Sequence, residues 1–309
     1  MIKVKFKNYG KLNKQVSTLG FGAWQLGYVQ SDEEGVRLVK EAYDSGITFF
    51  DTAPNYGLGR SEKLIGSALS SVRENVTINS KFGHHVDDRI DFDVSLLRPS
   101  IKGSLNRLNT TYLDSVILHN PGWDILLGKT KHFEVLKQLK EEGLIKAYGV
   151  SIDTLEELRA VLNTLEVDVI ELMFNIFEQS TREHFKYIKE RNIALIIKVP
   201  LDSGWLSGKY NPETQFKDIR SRWTDEDKKR RSELVNALKG IVDEKTPLTH
   251  YALGYIWSYE AVTTVIPGIR SHIHLADHIA SWKYSFDTQL REKFEAFYDK
   301  HIKDNPLPW

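Results

Sequence analysis

Short apolar runs alternate with amphipathic stretches along almost the whole chain. Each apolar run is typical of a buried strand, and the stretches between the runs repeat their apolar residues at helical spacing. Because each connection is long enough for a helix, the strands are predicted to run parallel. The predicted strands are residues 18–24, 48–51, 76–81, 115–119, 147–151, 169–174, 194–199 and 263–266.

The first helix between these strands begins and ends at recognisable residues. Ser31 is a good N-cap, and Gly46 follows the last helical residue, Ser45. Further helices are predicted from Ser61 onward and over about 98–108, 131–143, 154–164, 181–191 and 271–281. Outside the repeat lie a hairpin over 3–16 that turns at 8–11, one helix within 224–259, and a helix over 287–302.

Eight strand–helix units in one chain predict an α/β fold, a (β/α)8 TIM barrel with an N-terminal β-hairpin and extra C-terminal helices. An open, doubly wound sheet is the competing architecture, and a Gly-x-Gly-x-x-Gly turn after the first strand would be its usual mark. The glycines at 20, 22 and 27 lack that spacing. With no linker or low-complexity stretch, we expect one domain spanning residues 1–309.

Composition narrows the classes of protein that fit this pattern. The 309 residues carry 42 Lys+Arg and 42 Asp+Glu, so no charge excess points to nucleic acid or a membrane surface. Cysteine is absent, which excludes a disulfide framework, a thiolate metal site and a cysteine nucleophile. No apolar run approaches the roughly 20 residues of a membrane span, and the N-terminus lacks a signal-peptide core. We expect a cytoplasmic monomer or small homo-oligomer without a metal site.

Polar residues stand where successive predicted strands stop. Asp51 ends one strand, with Tyr56 just beyond it, and Lys81, His119 and Ser151 end the next three. The carboxyl ends of barrel strands are where catalytic residues of such barrels lie. A phenol, an amine, a carboxylate and an imidazole at that rim suit proton transfer to a carbonyl oxygen.

The chemistry follows from the acid strength of each group. A nearby cation such as Lys81 favours the phenolate and so lowers the pKa of Tyr56, while Asp51 would keep the amine charged. His119 would hydrogen-bond the carbonyl oxygen. No side chain donates hydride, so a nicotinamide must. Taken singly, each residue is more often a cap, a packed aromatic or a satisfied histidine, and their joint placement is what favours catalysis.

Longer segments resemble the aldo-keto reductase family over nearly the whole chain. The segments are Asp-Thr-Ala-Pro-Asn-Tyr-Gly-x-Gly-Arg-Ser-Glu at 51–62, residues 104–114 followed by Ile-Leu-His at 117–119, Pro-Leu-x-x-Gly-x-Leu-x-Gly-Lys-Tyr at 200–210, and Ile-Pro-Gly-x-Arg at 266–270. The resemblance implies the barrel fold, a catalytic tetrad of Asp51, Tyr56, Lys81 and His119, and NADP(H) bound across the rim. NAD(H) is left open. Tyr56 is then the general acid for reduction and its phenolate the base for oxidation.

The resemblance also implies a set of cofactor contacts, with departures from the family pattern. Ser151 matches the serine that holds the nicotinamide amide, Glu171 stands where a Gln is usual, and Lys198 replaces the stacking aromatic. An ion pair between Lys198 and Glu171 would follow from this placement. The other implied contacts are Leu201, Ser203 and Gly204 for the pyrophosphate, Arg270 and Ser271 for a 2′-phosphate, and Asp277 and His278 for the adenine.

The function expected from these residues is NADP(H)-dependent reduction of an aldehyde or ketone, including sugars, or the reverse oxidation of an alcohol. One alternative is a nucleotide-binding regulatory or channel-associated subunit, and another is a hydrolase with Asp51 and Glu171 as paired carboxylates. Aromatic residues just beyond the strands would wall the substrate pocket or pack the rim: Trp24, Phe82, Trp123 and Trp205. Residues 305–309 either fold over the site or fray.

Overall fold

The computed structural model describes residues 4–284 and 286–309, and its centre is a sheet of eight parallel strands. Each strand pairs with the next one along the chain, so the order in the sheet is the order in the sequence. The strands are β3 (Phe21–Gly22), β4 (Phe49–Asp51), β5 (Thr77–Phe82), β6 (Leu113–His119), β7 (Ile145–Ile152), β8 (Val169–Met173), β9 (Ala194–Lys198) and β10 (Val262–Val265).

Backbone hydrogen bonds join the last strand to the first and close the barrel. Gly20 N donates to the carbonyl of Val265 at 2.7 Å, and Val265 N donates to the carbonyl of Thr18 at 3.0 Å. Further along the same seam, Ile269 N donates to the carbonyl of Gly22 at 3.2 Å. These bonds close the eight strands into a barrel, which leaves no unpaired sheet edge. The predicted TIM barrel is therefore confirmed.

Helices cover the outside of the barrel, several of them capped by their own sequence. Ser31 and Ser271 each accept a hydrogen bond from the backbone three residues on, and Thr154 forms a capping box with Glu157. The helices are α1 (Asp32–Asp44), α2 (Arg60–Leu69), α3 (Leu97–Arg107), α4 (Trp123–Leu126), α5 (His132–Glu141), α6 (Leu155–Thr164), α7 (Phe185–Glu190), α8 (Asp225–Lys239), α9 (Leu248–Trp257), α10 (His272–Ala280) and α11 (Thr288–His301). None of the helices within the described ranges has the length and apolarity needed to cross a bilayer.

The N-terminal hairpin closes the bottom of the barrel. Its strands β1 (Phe6–Asn8) and β2 (Gln15–Ser17) pair antiparallel, as predicted, while residues 1–3 lie outside the described part of the chain. Tyr9 at the turn is 1% exposed, packs among inward-facing residues of the barrel, and its hydroxyl lies 2.7 Å from Ser115 Oγ. Lys14 of the same turn contacts Asp114 Oδ1 at 2.7 Å.

Two predicted elements differ from the structure at their ends. The first barrel strand is limited to Phe21–Gly22, because residues 24–28 form a 3-10 turn at the rim. A Cβ at Gly27 would come within 2.6 Å of Gly57 Cα, so this turn depends on glycine to pack against the loop after β4. The predicted helix over 181–191 is shorter, since residues 182–184 form a 3-10 turn before α7.

Candidate active site

The polar residues at the rim share one side of the sheet. Phe49, Ile117, Val169 and Ile196 belong to the apolar cluster inside the barrel. Because side chains alternate along a strand, the residue two positions later on each strand also faces inward. Those residues are Asp51, His119, Glu171 and Lys198. The same two-residue spacing places Lys81 on the same face as Asn79, and Ser151 on the same face as Gly149. The barrel interior therefore changes from apolar to ionisable at its C-terminal end.

Asp51 and Lys81 form a buried ion pair, each 2% exposed. The lysine Nζ lies 2.6 Å from both carboxylate oxygens and donates to the Thr52 carbonyl at 3.2 Å. Asn79 also donates to Asp51, at 2.7 Å. Burial lowers the pKa of Lys81, but Asp51 and Glu171 outweigh it, so the amine stays charged.

Tyr56 and His119 lie beside this pair. Their rings meet edge to face with centroids 6.2 Å apart, and Lys81 Nζ lies 5.3 Å from the centroid of the Tyr56 ring. Burial raises the pKa of Tyr56 above its ordinary value, and Lys81 opposes this only in part. Lys81 therefore lowers the pKa of the phenol, as expected, but the net shift is upward because desolvation of the phenolate is the larger effect.

His84 is a neighbour of the site that the sequence did not reveal. Its ring stacks on His119 with centroids 4.2 Å apart and an interplanar angle of 23°. Burial lowers the pKa of His119 well below its ordinary value, and Lys81 and His84 add to the effect. The imidazole of His119 is therefore neutral at neutral pH and can donate one hydrogen bond.

A cavity of about 680 Å³ opens above these residues, within the usual size of small-molecule sites. Asp51, Tyr56, His119 and Glu171 line one part of it, and Lys81 lies behind Asp51. The rest of the lining comes from the end of β3 and the turn after it, the end of β9 and the loop after it, the segment after β10, helices α9 and α10, and Trp309. The loop after β9, the segment after β10 and α10 contribute Leu201, Ser203, Gly204, Gly268, Arg270, His274, Asp277 and His278.

Two segments of this lining have the geometry of an anion site. A Cβ built at Gly268 would meet no described atom closer than Gln25 Oε1 at 4.0 Å, so the backbone there borders free space. Arg270 precedes the N-terminus of α10, where free backbone N–H groups favour a phosphate. His274 lies one turn into the same helix and also lines the cavity, and sequence reasoning had not singled it out.

Three residues predicted to contact the cofactor have partners within the protein. Lys198 does not pair with Glu171. It lies 2.8 Å from Asp153 Oδ1 and donates to Ser151 Oγ at 2.8 Å. Ser151 is completely buried and donates to Glu171 Oε1 at 3.0 Å, so its hydroxyl lies between those two side chains rather than on the cavity.

The Ser271 hydroxyl caps α10 by accepting from His274 N, and it too is absent from the cavity lining. An N-cap hydroxyl is held toward its own helix, which is why the residue preceding it, Arg270, reaches the cavity instead.

Of the four aromatic residues expected in the substrate pocket, Trp24 alone lines the cavity. Phe82 and Trp205 are fully buried, and Trp123 is 52% exposed at the start of α4, outside the lining. Phe82 follows the inward-facing Lys81, so it points outward and packs against Phe92. Trp205 lies in an aromatic cluster with Tyr210, Phe216 and Trp223.

The C-terminal tail folds over the cavity, and Trp309 is part of its lining. Its indole lies 4.9 Å from the Arg222 guanidinium. The fully buried Arg231 donates to the Pro308 carbonyl at 2.7 Å and to Asp202 Oδ2 at 3.0 Å. The tail and the loop after β9 are thus held by the same side chain.

The fold and the site together define a TIM barrel with buried ionisable side chains beside a large cavity, the architecture of a barrel oxidoreductase. The model of the Aldo/keto reductase family matches residues 18–299, so the chain belongs to this family. It is 26% identical to L-galactose dehydrogenase of Arabidopsis thaliana over 295 residues, covering 91% of this chain and 89% of that protein. It is 29% identical to aldo-keto reductase YhdN of Bacillus subtilis over 254 residues, or 78% and 76% of the two chains.

A solved structure has a very similar fold. The holo form of an aldo-keto reductase from Bacillus halodurans superposes with a TM-score of 0.82. The match covers 97% of this chain and 99% of that chain at 24% sequence identity.

Proposed function

We propose that this protein is an NADP(H)-dependent carbonyl reductase that converts an aldehyde or ketone to an alcohol, with sugars and small aldehydes as the first substrates to test. The observation that carries the proposal is the buried Asp51–Lys81 pair next to Tyr56 and His119, at one side of a cavity of about 680 Å³. The name of the galactose dehydrogenase relative supports sugars as a substrate class.

Tyr56 donates the proton to the carbonyl oxygen. Burial keeps its phenol protonated at neutral pH, so the acid form is the resting form. Lys81, held charged by Asp51, stabilises the negative charge that develops on the phenol oxygen as the proton leaves. The neutral His119 donates a hydrogen bond to the same carbonyl oxygen and orients it. The resting site therefore holds Tyr56 in the acid form that reduction uses, whereas oxidation needs its phenolate.

The residues present fit a nicotinamide dinucleotide, because the cavity joins the catalytic residues to the open backbone at Gly268 and the cationic end of α10. The cofactor supplies or accepts the hydride when it is bound. Glu171 and Lys198 would hold the nicotinamide amide. Leu201, Ser203 and Gly204 would cover the pyrophosphate, Arg270 and His274 would hold a 2′-phosphate, and Asp277 and His278 would contact the adenine.

A substrate screen with both nicotinamides tests the proposal. We expect oxidation of NADPH with at least one aldehyde, ketone or free sugar, and weaker activity with NADH. Tight NADPH binding without turnover across the panel would instead support the regulatory or channel-associated role. Failure to bind either nucleotide would refute both roles.

A further inference from the structure

Lys81 has a second carboxylate partner, Glu171. Glu171 Oε2 lies 3.4 Å from Lys81 Nζ, and the two side chains are 3% and 1% exposed. This oxygen accepts no hydrogen bond from any group in the described part of the chain. Its negative charge is balanced by the ion pair with Lys81. The other oxygen, Oε1, accepts from Ser151 at 3.0 Å.

The ammonium of Lys81 is shared among several acceptors. It donates to the Asp51 carboxylate and to the Thr52 carbonyl, and Glu171 Oε2 lies 3.4 Å away. The Tyr56 ring lies 5.3 Å from it, and Lys81 lowers the pKa of this phenol both by its charge and as a hydrogen-bond donor. A phenolate forming at Tyr56 would therefore compete with Glu171 for the positive charge.

Charged and titratable groups from several neighbouring elements interact with Glu171. They are Lys81 on β5, Asp51 on β4, Tyr56 beyond β4, Tyr9 of the hairpin, and Lys198 on β9, which is linked through the Ser151 hydroxyl. Burial and then Glu171 raise the pKa of Asp51 to about 7, against the opposing effect of Lys81. Glu171 also adds to the effect of burial in raising the pKa of Tyr56.

We propose that Glu171 is a positioning residue that sets the acid strength of Tyr56 by sharing the positive charge of Lys81. The inference rests on the proposed function, in which Tyr56 is the general acid. The Glu171 carboxylate attracts the positive charge of Lys81 and adds a negative charge to the site. The phenol then keeps its proton, which suits reduction, and the phenolate needed for oxidation forms only at higher pH.

The test is Glu171→Gln, which removes the charge and keeps the shape. We expect the midpoint of the pH profile of kcat for alcohol oxidation to fall by at least about one pH unit, because a buried charge at this range shifts a pKa by that order. The pH above which the rate of carbonyl reduction falls should decrease by a similar amount. Glu171→Met, which also removes the acceptor, should move both limbs in the same direction.

Glu178→Gln is the matched control, because Glu178 is a partly buried carboxylate that hydrogen-bonds Ser180 and does not line the cavity. Its profile should coincide with that of the unmodified protein. A fall in kcat with an unmoved midpoint in both Glu171 variants would overturn the proposal and leave Glu171 a merely structural residue.

A titration without substrate separates this inference from the proposed function. Near-ultraviolet absorbance of the phenolate is recorded for each protein and for its Tyr56→Phe counterpart, and the difference reports Tyr56 alone. We expect the Tyr56 phenolate to appear at lower pH in Glu171→Gln, whether or not the protein turns over a carbonyl. Identical difference titrations would overturn the inference even in an active enzyme.

Discussion

Tyr56 carries its proton in the resting site, because burial of the phenol outweighs the attraction of Lys81. Under the proposed mechanism, Tyr56 is therefore already in the acid form that reduction needs. His119 is neutral for the same physical reason, since its imidazole is buried and faces other cations. Desolvation thus prepares both groups that would contact the carbonyl oxygen.

Tyr56→Phe is expected to remove nearly all carbonyl reduction and to leave NADPH affinity largely intact. The phenol is the proposed proton donor, and loss of a general acid costs at least about 100-fold in turnover. Steady-state rates give the loss, and a fluorescence titration gives the affinity. Near-normal turnover by the variant would remove Tyr56 from the mechanism.

Lys81→Met should be as damaging as Tyr56→Phe, because the developing phenolate loses its cation. The two residues act as a unit, so the double variant should be little slower than either single variant. Rates of the three variants measured with one substrate decide the matter. Losses that multiply in the double variant would show that the two residues act independently.

At the scale of elements, α10 brings the proposed 2′-phosphate contacts together at its N-terminus. Arg270 lines the cavity, while Ser271 is committed to capping the helix. His274 lines the cavity from the first turn, and burial and then Arg270 lower its pKa. The cations acting on this end of the helix are Arg270 and, with a smaller effect on His274, Lys209.

Arg270→Ala is expected to weaken NADPH binding by about one to two decades and to change NADH binding little. A charge-assisted phosphate contact contributes roughly 1.5–3 kcal/mol. Dissociation constants for both cofactors, measured by protein fluorescence, provide the comparison. Arg159→Ala on α6 is the control, because Arg159 is an exposed arginine outside the cavity. Equal constants for NADH and NADPH in the unmodified protein would refute the phosphate assignment.

At the scale of the whole molecule, Asp114 links three parts of the barrel bottom. It is 2% exposed and accepts hydrogen bonds from Lys14 of the hairpin at 2.7 Å, from Arg73 at 2.8 Å and from the backbone of Ile78 at 2.9 Å. These contacts lie at the opposite end of the strands from the catalytic residues. The carboxylate therefore contributes to stability and not to chemistry.

Asp114→Asn is expected to lower the free energy of unfolding by about 3 kcal/mol, because two cations lose their buried partner. Activity per folded molecule should stay unchanged. Denaturant unfolding followed by fluorescence measures the loss. Asp124→Asn is the control: its ion pair with Lys129 is exposed, and its loss should cost less than about 1 kcal/mol. Equal effects of the two substitutions would contradict this role for Asp114.

The barrel and the strand-end residues could be predicted from the sequence because both follow from a periodic pattern. Alternation along β5 could also have placed Phe82, since its neighbour Lys81 faces inward and the two must point to opposite faces. The partners of Lys198 could not be predicted. Asp153 and Glu171 both lie near Ser151 in the fold, and packing alone selects Asp153 as the contact. The burial of Trp205 likewise depends on aromatic neighbours in the loop that follows it.

Arg231 gives the C-terminal tail and the loop after β9 a common anchor. Its side chain is 1% exposed, its hydrogen bond to Asp202 is buried, and its hydrogen bond to the Pro308 carbonyl is partly buried. If either segment leaves, the charged guanidinium loses one of these two acceptors. The free energy needed to detach the second segment is then smaller. Docking of the two segments is therefore cooperative, and a spectroscopic label on the tail would report when the loop opens.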